Sequence, residues 1–271
     1  MRLLPALPLL FLCACVDVPT GSAPAAAVPQ PVESPFQGLD PGFKTEETAH
    51  FVVKAYSSPT AALYASLCEE NYTRIMQDLG LYSFVPARPY NVMVYKDADE
   101  FHRKTGQPDW SGGAAYGNAL LLFEGQGQGA IIAHEMTHLV FNEFMGLSQA
   151  SHLRWLNEGA AVYEETRADV ADAGIYAGRV AATVADNPIP FSQMVNLAPQ
   201  TESQKDVDRW YAQVWSVVSF LIRRGGSFNF SIFLTKLRDG ADVDRALAET
   251  YTGLWSKFSD VETSWKLEVQ R

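Results

Sequence analysis

The stretch Ala130 to Phe144, AIIAHEMTHLVFNEF, is the most informative part of the 271-residue chain. It places His134 and His138 four residues apart in an apolar run, with Glu135 directly after the first histidine. On an α-helix this spacing puts both imidazoles on one face, where each can point a nitrogen at the same metal ion. Glu135 lies round the helix from His134, so it can act as a general base on a water molecule bound to that metal. Two core histidines, each bonded to a backbone carbonyl, are the alternative interpretation.

A second stretch, LRWLNEGAAVYEE at residues 153–165, favours the metal site. Catalytic zinc takes three protein ligands and keeps a fourth position for water. Glu158, on the next predicted helix after the one that carries His138, offers the third ligand. The small residues 159–161 beside it predict that this helix approaches the histidine helix closely. We therefore predict one Zn²⁺ per chain, held by His134, His138 and Glu158.

Together, HEMTH and WLNEGAAVYEE resemble the gluzincin zinc metallopeptidases, and specifically their short peptidase-MA-like relatives. The resemblance extends over about residues 47–268, but the two motifs are its specific parts. It implies that His134, His138 and Glu158 bind zinc and that Glu135 deprotonates water. It also implies an α+β, zincin-like fold, in which a small N-terminal mixed sheet with helices precedes an all-helical C-terminal half and the active-site cleft lies between them.

The resemblance assigns further roles. Tyr211 resembles the tyrosine that such enzymes aim at the tetrahedral oxyanion, although it can instead pack in an apolar stripe with Trp210 and Val214. Thermolysin-like members orient a ligand histidine with an aspartate at the position of Val162, so Glu165 or another carboxylate must take that role here. The strand that ends in NALLLFEG is implied to be a sheet edge that pairs with an extended substrate, or else an ordinary edge.

Hydrophobic periodicity and helix-end residues organise the rest of the chain. Strands are predicted in TAHFVVKAY and YNVMVYK, and one or two more near a sheet edge in GGAAYGNALLLFEG. Helices are predicted in SPTAALYASLCEENYTRIMQDLG, in DADEFHRKTG, at about residues 127–145 and 152–168, and in four segments of the C-terminal third. A loop-rich segment, 184–206, precedes those four segments, and the sequence leaves open whether it is a lid.

The N-terminal stretch MRLLPALPLLFLCAC resembles a secretory signal. Its last four residues also resemble a bacterial lipobox, which predicts acylation of Cys15 and attachment to a membrane. A plain signal peptide cut near residues 25–27 is the alternative. We predict a signal peptide at 1–14, a Pro/Ala-rich flexible tether at 15–41 and a peptidase-MA-like domain at 42–271. The protein would then be an exported cell-envelope lipoprotein, in the outer membrane and facing the periplasm or the surface.

The formal net charge of -10 argues against a nucleic-acid partner. We predict zinc-dependent hydrolysis of a peptide or protein substrate in the cell envelope, by an endopeptidase or an aminopeptidase-like enzyme. Glu135 would be the general base on a zinc-bound water. One alternative is a zinc-binding but non-proteolytic lipoprotein that binds peptides or cell-wall components, and a second is a metal-free structural lipoprotein. The pattern predicts no oligomeric state.

Overall fold

A computed structural model describes residues 36–197 and 203–270. The predicted signal peptide, Cys15 and most of the predicted tether lie outside these ranges. The described residues divide into two compact units: one lies within residues 36–65 and 90–128, and the other within residues 66–89, 129–197 and 203–270. Among the described helices, none combines the length and the apolar character needed to cross a membrane.

The first unit contains a five-stranded mixed sheet in the order β1-β2-β3-β5-β4. Its strands are β1 (Lys44–Glu47), β2 (Phe51–Ala55), β3 (Tyr90–Tyr95), β4 (Ala114–Tyr116) and β5 (Ala119–Phe123). The three central strands β2, β3 and β5 are parallel, and the outer strands β1 and β4 are antiparallel to their neighbours. The predicted strands are confirmed, and β1 is an additional strand whose four exposed residues KTEE carry no hydrophobic alternation.

Two sequence-based expectations for this unit are wrong. The strand that ends in NALLLFEG is β5, and it pairs with β3 on one side and β4 on the other, so it is not a sheet edge. The edge on this side of the sheet is β4, the shorter strand before β5. The end of the predicted flexible tether is also ordered: Phe36 and Leu39 pack against a core cluster, and Gln37 N donates to Lys104 O at 2.9 Å. The ordered domain therefore begins before residue 42.

Helices account for most of the remaining chain. They are α1 (Ser58–Asp78), α2 (Ala98–Thr105), α3 (Gln128–Met145), α4 (Leu147–His152), α5 (Arg154–Ala168), α6 (Val170–Arg179), α7 (Phe191–Met194), α8 (Gln204–Arg238), α9 (Val243–Thr250) and α10 (Phe258–Val269). A π-helical turn, Val180–Val184, follows α6. The α+β class, with a mixed sheet first and helices after it, is as predicted. Four elements were not predicted, and they are α4, α6, the π-helical turn and the short helix α7, which lies in the segment expected to be a loop.

The long helix α8 is interrupted where a helix end was predicted. Gly226 has φ 75° and ψ 165°, a backbone conformation that glycine adopts without strain. Beside it, a Cβ atom on Gly225 would lie 2.1 Å from Cε1 of Tyr251. The glycine pair therefore ends the first part of α8 and lets α8 pack closely against the start of the turn after α9.

The described part of the loop-rich segment is fixed to α8. Ile189 N donates to Gln213 Oε1 at 2.7 Å, and Gln213 Nε2 donates back to Ile189 O at 2.6 Å. Trp210 Nε1 donates to Met194 O at 3.0 Å. Gln213 and Trp210 are both almost fully buried. Residues 184–197 are therefore held as a wall of the second unit, which disfavours a lid role for this part of the segment.

Candidate metal centre

Three donor atoms converge inside the second unit. The residues of α3 from 131 to 140 are all buried, and they include His134 and His138. Oε2 of Glu158, on α5, lies 3.9 Å from His134 Nε2 and 3.7 Å from His138 Nε2. Two ligands that each lie about 2.1 Å from a tetrahedral zinc are about 3.4 Å apart. The ligand atoms of all three residues lie within 4.8 Å of one another, so the predicted ligands form a cluster of the right size for one metal ion.

Glu165 determines how the His134 ring is presented. The Nδ1–H of His134 donates to Glu165 Oε2 at 2.8 Å, which leaves the lone pair of Nε2 for the cluster. Of the residues the sequence analysis offered in place of the aspartate missing at Val162, the structure has Glu165 in contact with the ring. Glu165 reaches the ring because it lies two helical turns beyond Glu158 on α5.

The second histidine is oriented by an amide that the sequence analysis missed. His138 Nδ1–H donates to Asn157 Oδ1 at 2.9 Å, and Asn157 Nδ2 donates to Asn142 Oδ1 at 3.1 Å. Asn142 lies one turn beyond His138 on α3, so the two side chains share a face. A polar residue at that position of an apolar helix was the signal available in the sequence. The chain of bonds fixes the orientation of the Asn157 amide and, through it, the tautomer of His138.

The electrostatic field of the site favours a cation. Burial lowers the pKa of His134, but the hydrogen bond and charge of Glu165, with the charges of Glu135 and Glu158, raise it to about 9. His134 Nε2 and Glu135 Oε1 are both buried, and neither has a hydrogen-bond partner among the described residues. Orphaned buried polar atoms cost free energy unless a ligand satisfies them. Two imidazole nitrogens and a carboxylate oxygen form a donor set that suits zinc, so the residues present fit this metal.

Gly159, directly after Glu158, contacts a different helix from the one predicted. A Cβ atom on Gly159 would lie 2.6 Å from Cγ2 of Val218 and 2.7 Å from the carbonyl oxygen of Val214, both on α8. The close approach that Gly159 permits is therefore between α5 and α8, whereas the sequence analysis expected it between α5 and α3. By seating α5 on α8, Gly159 fixes the position of the neighbouring Glu158.

Tyr211 lies on the same face of α8 as this contact. It precedes Val214 by three residues and Val218 by seven, the spacing of one helical stripe. Its side chain is 6% exposed and its ring meets Trp210 edge to face at 5.1 Å. Tyr211 therefore does pack in the core, as one of the two interpretations expected. Its catalytic role stays a prediction.

Comparison with known protein families agrees with this site. The chain matches none of the curated proteins compared with it. The sequence pattern of the peptidase MA superfamily matches residues 69–270, a range that contains the three clustered residues, Glu135 and all of α8. This match covers most of the chain, and the α+β fold and the clustered His134, His138 and Glu158 are those of a metallopeptidase domain. The chain belongs to the peptidase MA superfamily.

Proposed function

We propose that the protein is a gluzincin-type zinc metallopeptidase, which hydrolyses peptide bonds with one zinc ion per chain. The observation that carries the proposal is the convergence of His134 Nε2, His138 Nε2 and Glu158 Oε2, with Glu135 beside them on α3. Three protein ligands leave a fourth position for water, as hydrolytic zinc sites require. A zinc ion in this position would polarise the scissile carbonyl and lower the pKa of a water molecule.

Glu135 has the position of a general base. Its Oε1 is buried without a hydrogen-bond partner in the described structure. This oxygen can therefore accept a hydrogen bond from a water molecule that enters the site. Glu135 takes a proton from the attacking water and then passes it to the leaving amine. A site that only binds zinc has no need of a buried carboxylate with one oxygen left without a hydrogen-bond partner, which favours hydrolysis over a pure binding role.

We propose that the Tyr211 hydroxyl donates a hydrogen bond to the oxyanion that develops during hydrolysis. It is buried, and it lies on the α8 face that carries Val214 and Val218, the two residues in contact with Gly159 next to Glu158. A phenol donates one hydrogen bond and holds it in a fixed direction when the ring is packed. The edge-to-face contact with Trp210 provides that packing. Stabilisation of charge that develops only in the transition state raises turnover.

The cellular setting that we propose is the bacterial cell envelope. The N-terminal stretch of the sequence supports export and acylation of Cys15, and the lipid would attach the protein to the outer membrane. The substrate would be a peptide or protein in the periplasm or at the surface. The acidic balance of the chain disfavours a nucleic-acid partner.

The experiment that tests this function replaces the base and keeps the metal. Glu135→Gln should retain zinc at the wild-type level and lose cleavage of an unbiased peptide library by about a hundredfold or more. Glu143→Gln is the matched control because Glu143 lies on the same helix and is exposed. Analysis of the cleaved peptides by mass spectrometry also separates endopeptidase from aminopeptidase activity. Cleavage by neither the wild type nor the variant, with zinc bound to both, would favour the non-proteolytic alternative.

A further inference from the structure

Arg154 lies beside the metal ligand Glu158, and nothing in the proposed mechanism uses it. It is the first residue of α5, one turn before Glu158, and its Nε lies 3.9 Å from Glu158 Oε1. The Arg154 side chain is 18% exposed, and its Nε is buried without a hydrogen-bond partner among the described residues. We propose that Arg154 is a positioning residue that holds Glu158 in one-oxygen coordination and so keeps the fourth metal position open for water. This inference rests on the proposed zinc site.

The two oxygens of Glu158 face different groups. Oε2 is the atom that approaches the imidazole nitrogens of His134 and His138, at 3.9 Å and 3.7 Å. Oε1 is the atom near the Arg154 guanidinium. A carboxylate ligand can bind a metal ion through one oxygen or through both. When both oxygens bind, the second one occupies an additional coordination position. A cation beside Oε1 attracts that oxygen away from the metal.

The position of Arg154 is unfavourable unless it has such a role. A positive side chain in the first turn of a helix meets the positive end of the helix dipole, which is unfavourable. The first turn of α5 contains no acidic residue to offset that cost. A guanidinium nitrogen that is buried without a hydrogen-bond partner adds a further cost. The nearby carboxylate of Glu158 is the group that compensates both.

The charge balance of the site also supports this role for Arg154. The cluster contains the carboxylates of Glu135, Glu158 and Glu165 around two imidazoles that must be neutral to bind metal. A divalent cation leaves one negative charge, and the guanidinium of Arg154 neutralises it. Because the site is buried, a net charge would be costly there. Arg154 thus allows a third carboxylate, Glu165, to orient His134 without leaving the occupied site charged.

The test uses Co²⁺ in place of zinc, because the visible absorption of Co²⁺ is stronger in four-coordinate than in five-coordinate sites. Two neutral variants, Arg154→Met and Arg154→Gln, remove the charge, and Arg154→Lys keeps it. Arg245→Met is the matched control, since Arg245 forms an exposed i,i+4 pair with Glu249 on α9. Circular dichroism verifies that each variant is folded. If one neutral variant does not fold, the other is used for the comparison.

The proposal expects both neutral variants to bind Co²⁺ at least as tightly as the wild type, since a repelling charge has been removed. Their absorption should fall towards that of a five-coordinate ion, and kcat should fall by about tenfold or more while KM stays nearly constant. Arg154→Lys and Arg245→Met should both resemble the wild type. A merely structural role for Arg154 would weaken metal binding and leave the spectrum of the bound fraction unchanged.

Other outcomes overturn the inference and are distinguishable from failure of the proposed function. Unchanged absorption and kcat in both neutral variants would refute the role of Arg154 and leave the peptidase proposal intact. Loss of Co²⁺ binding in them would also refute it. A wild-type protein that binds Co²⁺ but cleaves no peptide would refute the function alone, and the spectra would still decide the role of Arg154. A wild-type protein that binds no Co²⁺ would refute both.

Discussion

Glu165 binds His134 from two helical turns beyond the ligand Glu158, with 2.8 Å between Glu165 Oε2 and His134 Nδ1. The position where thermolysin-like enzymes have an orienting aspartate is occupied here by the fully buried Val162. The longer glutamate side chain and its later place on α5 supply the same contact. The requirement is that a carboxylate meets the far nitrogen of the ligand ring, and more than one helix position satisfies it.

Removal of this carboxylate should weaken metal binding. Glu165→Ala leaves His134 Nδ1–H without its acceptor and the ring without a fixed orientation, so the dissociation constant for zinc should rise by about 10–100-fold. Glu165→Gln retains an acceptor and should have a smaller effect. Competition with a chromophoric chelator measures both. Glu249→Gln, which changes an exposed surface pair, is the control. Equal zinc affinity in Glu165→Ala and the wild type would contradict the assigned role.

The hydrogen bonds from His138 to Asn157 and from Asn157 to Asn142 predict two losses of zinc affinity of different size. Asn157→Ala removes the acceptor for His138 Nδ1–H and should weaken zinc binding by about tenfold or more. Asn142→Ala removes only the bond that holds the Asn157 amide, so its effect should be smaller and in the same direction. Combined with Asn157→Ala, Asn142→Ala should add little, because its role acts through Asn157. Fully additive losses of zinc affinity would show that the two residues act independently.

The contact between α5 and α8 predicts a steric effect at Gly159. A methyl group there would lie 2.6–2.7 Å from atoms of Val218 and Val214, one of them backbone, so α5 must shift. Gly159→Ala should lower the free energy of unfolding by about 1–3 kcal/mol and reduce zinc affinity through the displaced Glu158. Gly174→Ala on α6 is the matched control, since a Cβ there meets nothing within 4 Å. It should be neutral or stabilise by up to about 1 kcal/mol. Urea unfolding compares the two variants, and equal stability would argue against tight packing at Gly159.

Glu164, on the buried side of α5, predicts a dependence of stability on pH. Burial, with a smaller contribution from the charge of Asp78, raises the pKa of Glu164 to about 8, although Arg74 and Arg167 act to lower it. The ordinary pKa of this carboxyl is 4.5, so the folded protein binds the proton more tightly than the unfolded chain. The free energy of unfolding should therefore fall as the pH rises from about 5 to about 8.

Glu164→Gln tests this dependence because the amide cannot ionise and has nearly the same shape. The variant should have a flatter profile of unfolding free energy between pH 5 and pH 8 than the wild type. Urea unfolding at several pH values gives both profiles. Asp172, which also has a raised pKa, titrates near pH 6 and is kept unchanged in both proteins. Parallel profiles for the variant and the wild type would show that Glu164 is ionised throughout this range.

Sequence patterns alone identified the parts of this protein that depend on local spacing. The i,i+4 histidines of HEMTH could be found because helix geometry relates sequence distance to spatial distance. The acid of WLNEG could be found because zinc needs a third protein ligand and because the two motifs together resemble those of gluzincins. Proline and an aspartate cap indicated where α1 and α2 begin, and the glycine pair indicated a helix end where the structure has the interruption of α8 at Gly226. Glu165 was among the candidates because an orienting carboxylate was required and Val162 could not supply it.

Features that depend on tertiary contacts were missed. The bond from Asn157 to Asn142 joins two helices, and no spacing rule connects them. Gly159 indicated a close approach, but the expected partner α3 was wrong, because the contacting Val214 and Val218 of α8 lie more than fifty residues away in sequence. Strand β1 lacks alternation because all four of its residues are exposed. Residues 36–39 resembled a linker by composition, yet their few apolar side chains and a backbone hydrogen bond attach them to the sheet unit.

The zinc content of the purified protein tests the central claim most directly. Elemental analysis of protein prepared without chelators should give about one zinc per chain. It should give far less in His134→Ala and in Glu158→Ala, each still folded by circular dichroism. Zinc well below one equivalent in the wild type, or zinc unaffected by either substitution, would contradict a metal centre built from α3 and α5.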